Sequence, residues 1–327
     1  MNEREFRSVF SENKTCYETW GKYVVDKIKN IVSARLIGRS VDSFFKVPPC
    51  SRVKDEESLV QKAFYRGKGY SNPWLDITDK VGCRFVVLLL SDIKLVQDVV
   101  ESISEWSFSK DRDFYKEKEN EPERFAYQSI HYVVRNKSRL ELNNEGSSVI
   151  IPENTPCEIQ IRTLMQHAYS EMTHDSIYKS DVKTQNDIIR IASRCSAMIE
   201  TTDELFENVN ERVMRLQKLY EDIKNACSIF IKKSGVSEYK RNDVDDYLTK
   251  TFFSLWNEDL LGQFILFLRD SAGDYLKNES RLANIPNLQI LFLAKCHKYE
   301  LMQCIRDNGI DESYLEDVFS ILGIGLS

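Results

Sequence analysis

The run Cys83–Leu90, C-R-F-V-V-L-L-L, constrains this chain more than any other segment. Apart from Arg84 it is continuously apolar, and a run of this length reads as a central strand buried in a sheet. Shorter strands are expected at Ile130–Val134 (I-H-Y-V-V) and Cys157–Ile161 (C-E-I-Q-I). Asp92–Trp106 reads as helix, and Leu140–Asn154 as a strand pair or loop. Strands and helices alternate irregularly, which points to an α/β or α+β sheet domain.

Helix is expected on both sides of this middle third. Tyr23, Val24, Ile28, Ile31, Val32 and Leu36 recur at helical spacing within residues 3–40. The pair Pro48-Pro49 interrupts the pattern, and Asp55–Tyr65 suits a short helix. From Asp181 an apolar stripe runs through Ile188, Ile191, Cys195, Met198, Leu205, Val209 and Val213 to Phe230. It describes one long amphipathic helix or two in series, packed on its own domain or paired with a second copy. A break at Lys232–Gly235 precedes short apolar clusters that read as a small all-helical domain. The expected organisation is an N-terminal helical segment over 1–44, a sheet domain over 45–180, a long helical segment over 181–234 and a C-terminal helical domain over 235–327.

Length agrees with more than one domain, since 327 residues suggest about two. The net charge of -6 argues against whole-surface attraction to nucleic acid or to an anionic membrane, while leaving room for a local basic groove. The eight cysteines include no C-x-x-C pair, so neither a zinc ribbon nor a redox motif is supported. No apolar run reaches the roughly 18 residues of a membrane span. The start M-N-E-R-E-F-R-S-V-F has no signal core, and a cytoplasmic protein is expected.

Four clusters carry groups suited to phosphate or metal. Ser51-Arg52-Val53-Lys54 with Ser58 and Lys62 brings cations and hydroxyls together, as a polyphosphate site or as a solvated charged surface. Asp79-Lys80-Val81-Gly82-Cys83-Arg84 places a carboxylate just before the buried strand, as a magnesium ligand or as a helix-cap aspartate. Gly82 suits a close backbone approach or an unusual dihedral, and Arg84 needs an anionic partner. Tyr127-Gln128-Ser129-Ile130-His131, preceded by Lys116, Lys118 and Arg124, suits a stacked base with sugar and phosphate nearby. An ordinary half-exposed strand is the alternative there. In Glu158-Ile159-Gln160-Ile161-Arg162-Thr163, alternation gives one apolar face and one face of carboxylate, amide and guanidinium, as a metal-plus-phosphate face or as an ordinary amphipathic edge strand.

Taken in order, these clusters resemble the RelA/SpoT synthetase family of alarmone-making pyrophosphokinases. The matching pieces are S-R-V-K…S…K, D-x-x-G-x-R, Y-Q-S-I-H, E-I-Q-I-R-T and Tyr178-Lys179, spread over roughly residues 45–180. The resemblance implies an α+β fold: a mixed-sheet, nucleotidyltransferase-like core flanked by helices, followed here by a C-terminal all-helical region. It implies ATP binding by Arg52, Lys54, Ser58, Lys62 and Arg84. Asp79 and Glu158 are implied as catalytic carboxylates and Mg2+ ligands, with Glu158 also placed to activate the attacking hydroxyl. On the acceptor side it implies a stacking role for Tyr127 and phosphate-orienting roles for His131, Gln160 and Arg162. Lys116 aligns loosely with a lysine that holds the acceptor's 5′-phosphates.

Two departures fall on the acceptor side. Phe125-Ala126 stands where the family commonly has Asn-Gly, and Asp113-Phe114-Tyr115-Lys116-Glu117-Lys118 lacks the family's proline before lysine. With only His131, His167, His174 and His297, the chain is not expected to carry the hydrolase of the family's long members. The leading expectation is a synthetase-only enzyme making (p)ppGpp from ATP and GDP or GTP. The alternative is a toxin-like relative acting on the 3′ end of tRNA or making adenine alarmones. A non-catalytic nucleotide-binding regulator is a second alternative. A second copy on the long helix, and a neutralising protein or antitoxin at the C-terminal region, are the partners these readings suggest.

Overall fold

Helix α1 (Glu3–Arg35) opens the chain in the computed structural model, which describes residues 1–67, 69–123, 125, 129–144, 146–173, 185–235, 243–276, 283–323 and 325. Asn2 caps α1 reciprocally with Glu5, each side chain accepting from the other's backbone N–H. Its buried face carries Phe6, Phe10, Tyr17, Trp20, Val24, Ile28 and Val32. Gly21 lies on the same face, and a Cβ there would stand 2.7 Å from Ser51 Cβ and 2.7 Å from Val81 Cγ2. Any larger residue would push α1 off the two strands beneath it.

Those strands follow. After α2 (Val41–Phe44), strand β1 (Val47–Val53) contains Pro48-Pro49 at an irregularity between Val47 and Cys50. Proline is tolerated there because β1 is an edge strand, paired with β2 alone. Helix α3 (Glu56–Val60) runs into a π-helical turn at Gln61–Tyr65, and α4 (Pro73–Asp76) leads to β2 (Val81–Val87). The apolar run is therefore strand only to Val87, and its last residue starts α5 (Leu90–Ser102).

Beyond α5 the structure departs from expectation. Trp106 is not helical but begins strand β3 (Trp106–Asp113). That strand is polar and mostly exposed on the far sheet edge, so it lacks the apolar alternation that marks a strand in sequence. Helix α6 (Phe114–Asn120), β4 (Ile130–Asn136), the hairpin β5 (Leu140–Asn144) and β6 (Ser147–Ile151), β7 (Pro156–Thr163), α7 (Leu164–Thr173) and α8 (Asn186–Lys233) complete the series.

The five-stranded sheet has the order β1-β2-β7-β4-β3. Only β2 and β7 run parallel; the other neighbours are antiparallel. One face buries Cys83, Phe85, Tyr132, Ile159 and Ile161 with the apolar sides of α1 and α5. The fold is α+β, a mixed sheet flanked by helices.

Two compact units divide the chain, Met1–Asn208 and Val209–Ser327, with the division inside α8 rather than at either of its ends. In the first unit α8 packs through Ala192, Ser196 and Asp203, leaving Ile188, Ile191, Met198 and Leu205 of the apolar stripe exposed. In the second unit the stripe is buried at Ile223 and Cys227, with Leu219 buried beside it. That unit continues through α9 (Asp243–Phe252), α10 (Glu258–Asp270), α11 (Ala272–Leu276), α12 (Ile285–Cys296), α13 (Lys298–Asp307) and α14 (Ser313–Leu322). Helix α12 is apolar all round and buried, as a central helix should be. Trp256 stacks on its Phe292 and donates a 3.0 Å hydrogen bond from Nε1 to Gln289. Among the described residues no helix is long and apolar enough to cross a membrane.

Candidate active site

Strand register gathers the sequence-predicted polar residues on the sheet face opposite the apolar core. Arg52 pairs with Gly82, and Gly82 with Glu158. Two residues further along β2, Arg84 pairs with Gln160, and Gln160 with His131. Directly opposed residues share a face, so two adjacent rows carry Arg52 and Glu158, then Arg84, Gln160 and His131. Gly82 needs neither a positive φ nor the space of a missing side chain: a Cβ would meet Glu158 Oε2 at 3.8 Å, an ordinary contact.

Asp79 precedes β2 and holds two lysines from elsewhere. Its Oδ2 accepts from Lys54 Nζ, at the end of β1, and from Lys62 Nζ in the π turn at 2.7 Å. Burial pushes the Asp79 pKa up, but the two ammonium groups outweigh it, and the carboxyl ends below its ordinary value. Its Oδ1 is buried without a hydrogen-bond partner among the described residues. Asp79 is therefore a clamp between distant lysines rather than a helix cap. Next to it, Lys80 is buried with Nζ donating to the Ile77 carbonyl and lying 4.9 Å from the Trp74 ring centroid. Burial lowers its pKa to about 8, against the pull of Asp79.

Glu158 is held at both oxygens. His131 Nδ1 lies 3.1 Å from Oε1, and Gln160 Nε2 donates to Oε2 at 3.0 Å. Burial raises its pKa and so does the Asp79 charge, yet His131 and the Gln160 amide prevail, leaving Glu158 below the ordinary value. Gln160 Oε1 in turn accepts from Arg162 Nη2. Arg162 is only 2% exposed, at the end of β7 just before α7 begins.

Arg84 finds its anion on α7, where Glu171 Oε1 lies 3.0 Å from Nη1. His167 Nδ1 approaches the same carboxylate at 3.5 Å. Burial first, then the Arg84 and Arg162 charges, lowers the His167 pKa, against the pull of Glu171.

Around α6 several cations are already engaged. Arg112 forms a two-point pair with Glu117 at 2.8 and 3.0 Å. Lys118 Nζ lies 2.5 Å from Glu200 and 3.8 Å from Glu204, both on α8. Lys116 is exposed, with no ion pair among the described residues. Asp113 caps α6 by accepting from Tyr115 N, and the Phe114 and Tyr115 rings lie 4.0 Å apart. Tyr127, Arg124, Gln128, His174-Asp175 and Tyr178-Lys179 lie outside the described residues.

Local sequence pattern did not disclose Glu171, Glu200 or Asp203. Asp203 on α8 is buried, and its Oδ2 accepts from Thr163 Oγ1 at 2.8 Å and from Gln166 Nε2 at 3.2 Å. Burial raises its pKa to about 6. The only sequence signal was an acidic residue beside an apolar helical stripe, which reads equally well as solvated surface.

Most of this geometry lies within a stretch that matches a known family model. Residues 51–183 match the family model RelA_SpoT, described as a region found in RelA / SpoT proteins. The polar sheet face lies within this match. Asp79, Glu158, Lys54, Lys62 and Arg84 all fall inside it, whereas Glu200, Asp203 and Glu204 lie beyond its end. No curated protein matches the chain. Among solved structures, the chain is similar to the small alarmone synthetase 1 from Bacillus subtilis bound to its product pppGpp, at 20% identity over 63% of this chain and 99% of that one, with a TM-score of 0.49. It is also similar to the small alarmone synthetase 2 from Bacillus subtilis, at 20% identity over 62% of this chain and 98% of that one, with a TM-score of 0.48. A GTP pyrophosphokinase family protein from Streptococcus pneumoniae is similar at 21% identity over 62% of this chain and 93% of that one, with a TM-score of 0.49.

Proposed function

We propose that the protein is an ATP-dependent pyrophosphokinase that transfers the β,γ-diphosphate of ATP to the 3′-hydroxyl of GDP or GTP and releases AMP. The observation that carries this reading is the pair of ionised carboxylates Asp79 and Glu158, set among Lys54, Lys62 and Arg84 inside a RelA/SpoT region. In the reaction the acceptor O3′ forms a bond to the β-phosphorus. The bond from that phosphorus to the α,β-bridging oxygen breaks, and AMP leaves with the electron pair. The hydroxyl proton passes to Glu158.

Such a transfer asks for in-line positioning and neutralised charge more than for covalent help. Lys54 and Lys62, gathered by one carboxylate, and Arg84, on the same sheet face as Glu158, supply that positive charge. Arg52 and Ser58 complete the donor set. The donor atoms fit Mg2+: Asp79 Oδ1 has no other partner among the described residues, and this ion is usually held by one or two carboxylates plus substrate phosphates. Held by Asp79 and Glu158, it would neutralise charge on the diphosphate. The substrate phosphates must complete the ligand set, since no group of three or more His, Cys, Asp or Glu suited to a metal occurs among the described residues.

One observation favours a second reading. Arg112 and Lys118 are paired with carboxylates of this same chain, leaving Lys116 without an ion pair among the described acceptor-side cations. A compact 5′-diphosphate or triphosphate would have to compete for them, whereas the 3′ end of tRNA brings only a phosphodiester. Offering GDP, GTP, ATP and tRNA separately, with ATP labelled at its β-phosphate, decides between the readings. The proposed function predicts label in the guanosine nucleotide, and label in tRNA alone would replace it.

A further inference from the structure

Arg162 lies on the same strand face as Glu158, four residues away, and its side chain is almost fully buried. We propose that Arg162 is a positioning residue that acts through Gln160 to orient Glu158, rather than a residue that touches a substrate phosphate. The proposal rests on the reading of Glu158 given above.

The argument is one of hydrogen-bond polarity. Residues two apart on a strand face are separated by about 7 Å, so a glutamine between two polar neighbours can reach both. Its carbonyl and its NH2 differ in what they accept as partners. A guanidinium is a donor at every nitrogen and accepts nothing. The Gln160 atom facing Arg162 must therefore be Oε1, as observed. The NH2 group then points the other way along β7, where it donates to Glu158 Oε2 at 3.0 Å. A flipped amide would set Gln160 Oε1 against a carboxylate oxygen, acceptor against acceptor, and would turn its NH2 toward a cation. Arg162 excludes that state. His131 Nδ1 at 3.1 Å fixes the other oxygen, Oε1, so the carboxylate plane is held from both sides. Each Glu158 oxygen keeps further lone-pair capacity, which a metal ion or an acceptor hydroxyl can use.

The buried end of this chain explains its rigidity. Arg162 is enclosed at the end of β7, where α7 begins, close enough to His167 for its charge to be felt there. A solvated arginine would sample many rotamers, whereas an enclosed one holds Gln160 in a single orientation.

The test is a double-mutant cycle of R162M and Q160A, read by steady-state kinetics and by NMR of the glutamine side-chain amides. If Arg162 acts through Gln160, each single variant lowers kcat by about 10- to 100-fold with KM for ATP within about two-fold. The double variant is then no worse than the weaker single by more than about three-fold. The Gln160 amide resonances, assigned by their loss in Q160A, exchange slowly in the wild type and rapidly in R162M. R162K, which keeps a buried donor, recovers part of kcat and serves alone if R162M does not fold. A KM rise of ten-fold or more at unchanged kcat in R162M or R162K would assign Arg162 to phosphate binding and overturn the proposal. Fully additive losses would do the same. If the wild type transfers no diphosphate yet the Gln160 amide loses protection in R162M, the relay stands and the functional reading fails.

Discussion

Thr163 Oγ1 donates a 2.8 Å hydrogen bond to Asp203, which ties the end of β7, the strand of Glu158, to a helix that starts beyond the residues matching the RelA_SpoT model. The tie is titratable. Burial raises the Asp203 pKa from 3.8 to about 6. A raised carboxyl pKa means that the folded state prefers the proton. The associated stability is fully present below about pH 3.8 and is lost as pH rises through 6. The gap corresponds to on the order of 3 kcal/mol. D203N keeps a neutral side chain and lacks this dependence. Urea unfolding of both proteins between pH 4 and 7.5 should show D203N gaining on the wild type as pH rises. A constant difference would mean that Asp203 is not the titrating group.

Lys54 and Lys62 reach Asp79 from a strand end and a π turn, so each should contribute to the donor site independently of the acceptor. K54A and K62A are expected to lower kcat/KM for ATP by about 30-fold each, the loss of roughly 2 kcal/mol for a charge-assisted contact. The measurement is ATP kinetics at saturating acceptor, repeated with each acceptor used. Unchanged ATP kinetics in both variants would remove these lysines from the site.

Glu200 pairs with Lys118 at 2.5 Å. E200Q should release that cation and lower KM for GDP or GTP by a few-fold, while K116A raises it. Neither change should alter KM for ATP. An unchanged acceptor KM in both variants would show that α6 does not read the acceptor's 5′-phosphates.

Gly21 sits where a Cβ would approach Ser51 and Val81 at 2.7 Å, so G21A should strain the contact between α1 and the β1–β2 edge. The expected loss is about 1–3 kcal/mol, the usual cost of overpacking. Thermal unfolding measures it directly, and an unchanged Tm would show that α1 adjusts freely.

Much of the polar sheet face was legible in the sequence, for reasons its residues make plain. Glu158-Ile159-Gln160-Ile161-Arg162 alternates with a period of two, so its polar residues had to share one face, and the register bears this out. The run at Cys83–Leu90 had to be buried, although its final residue belongs to α5. Strand β3 was not legible, because a solvated edge strand needs no apolar side. The burial of Arg162 was not legible either: alternation assigns a face, but tertiary packing decides how much of that face is open. Asp79 was visible as a carboxylate before a strand, yet its lysine partners stand 25 and 17 residues away and belong to other elements. Glu200 and Asp203 lie further still from the groups they hold, and local periodicity carries no record of such pairing.

The central claim is that Asp79 and Glu158 support transfer of the β,γ-diphosphate as one unit. The direct measurement is product stoichiometry with ATP labelled at its β-phosphate, for the wild type and for D79N and E158Q, with circular dichroism confirming that each is folded. The account predicts one AMP released per labelled diphosphate transferred by the wild type. In either variant, losing one carboxylate of the pair should remove several kcal/mol of charge stabilisation and reduce transfer by at least a hundred-fold. Release of ADP in place of AMP, or either folded variant turning over near the wild-type rate, would contradict it.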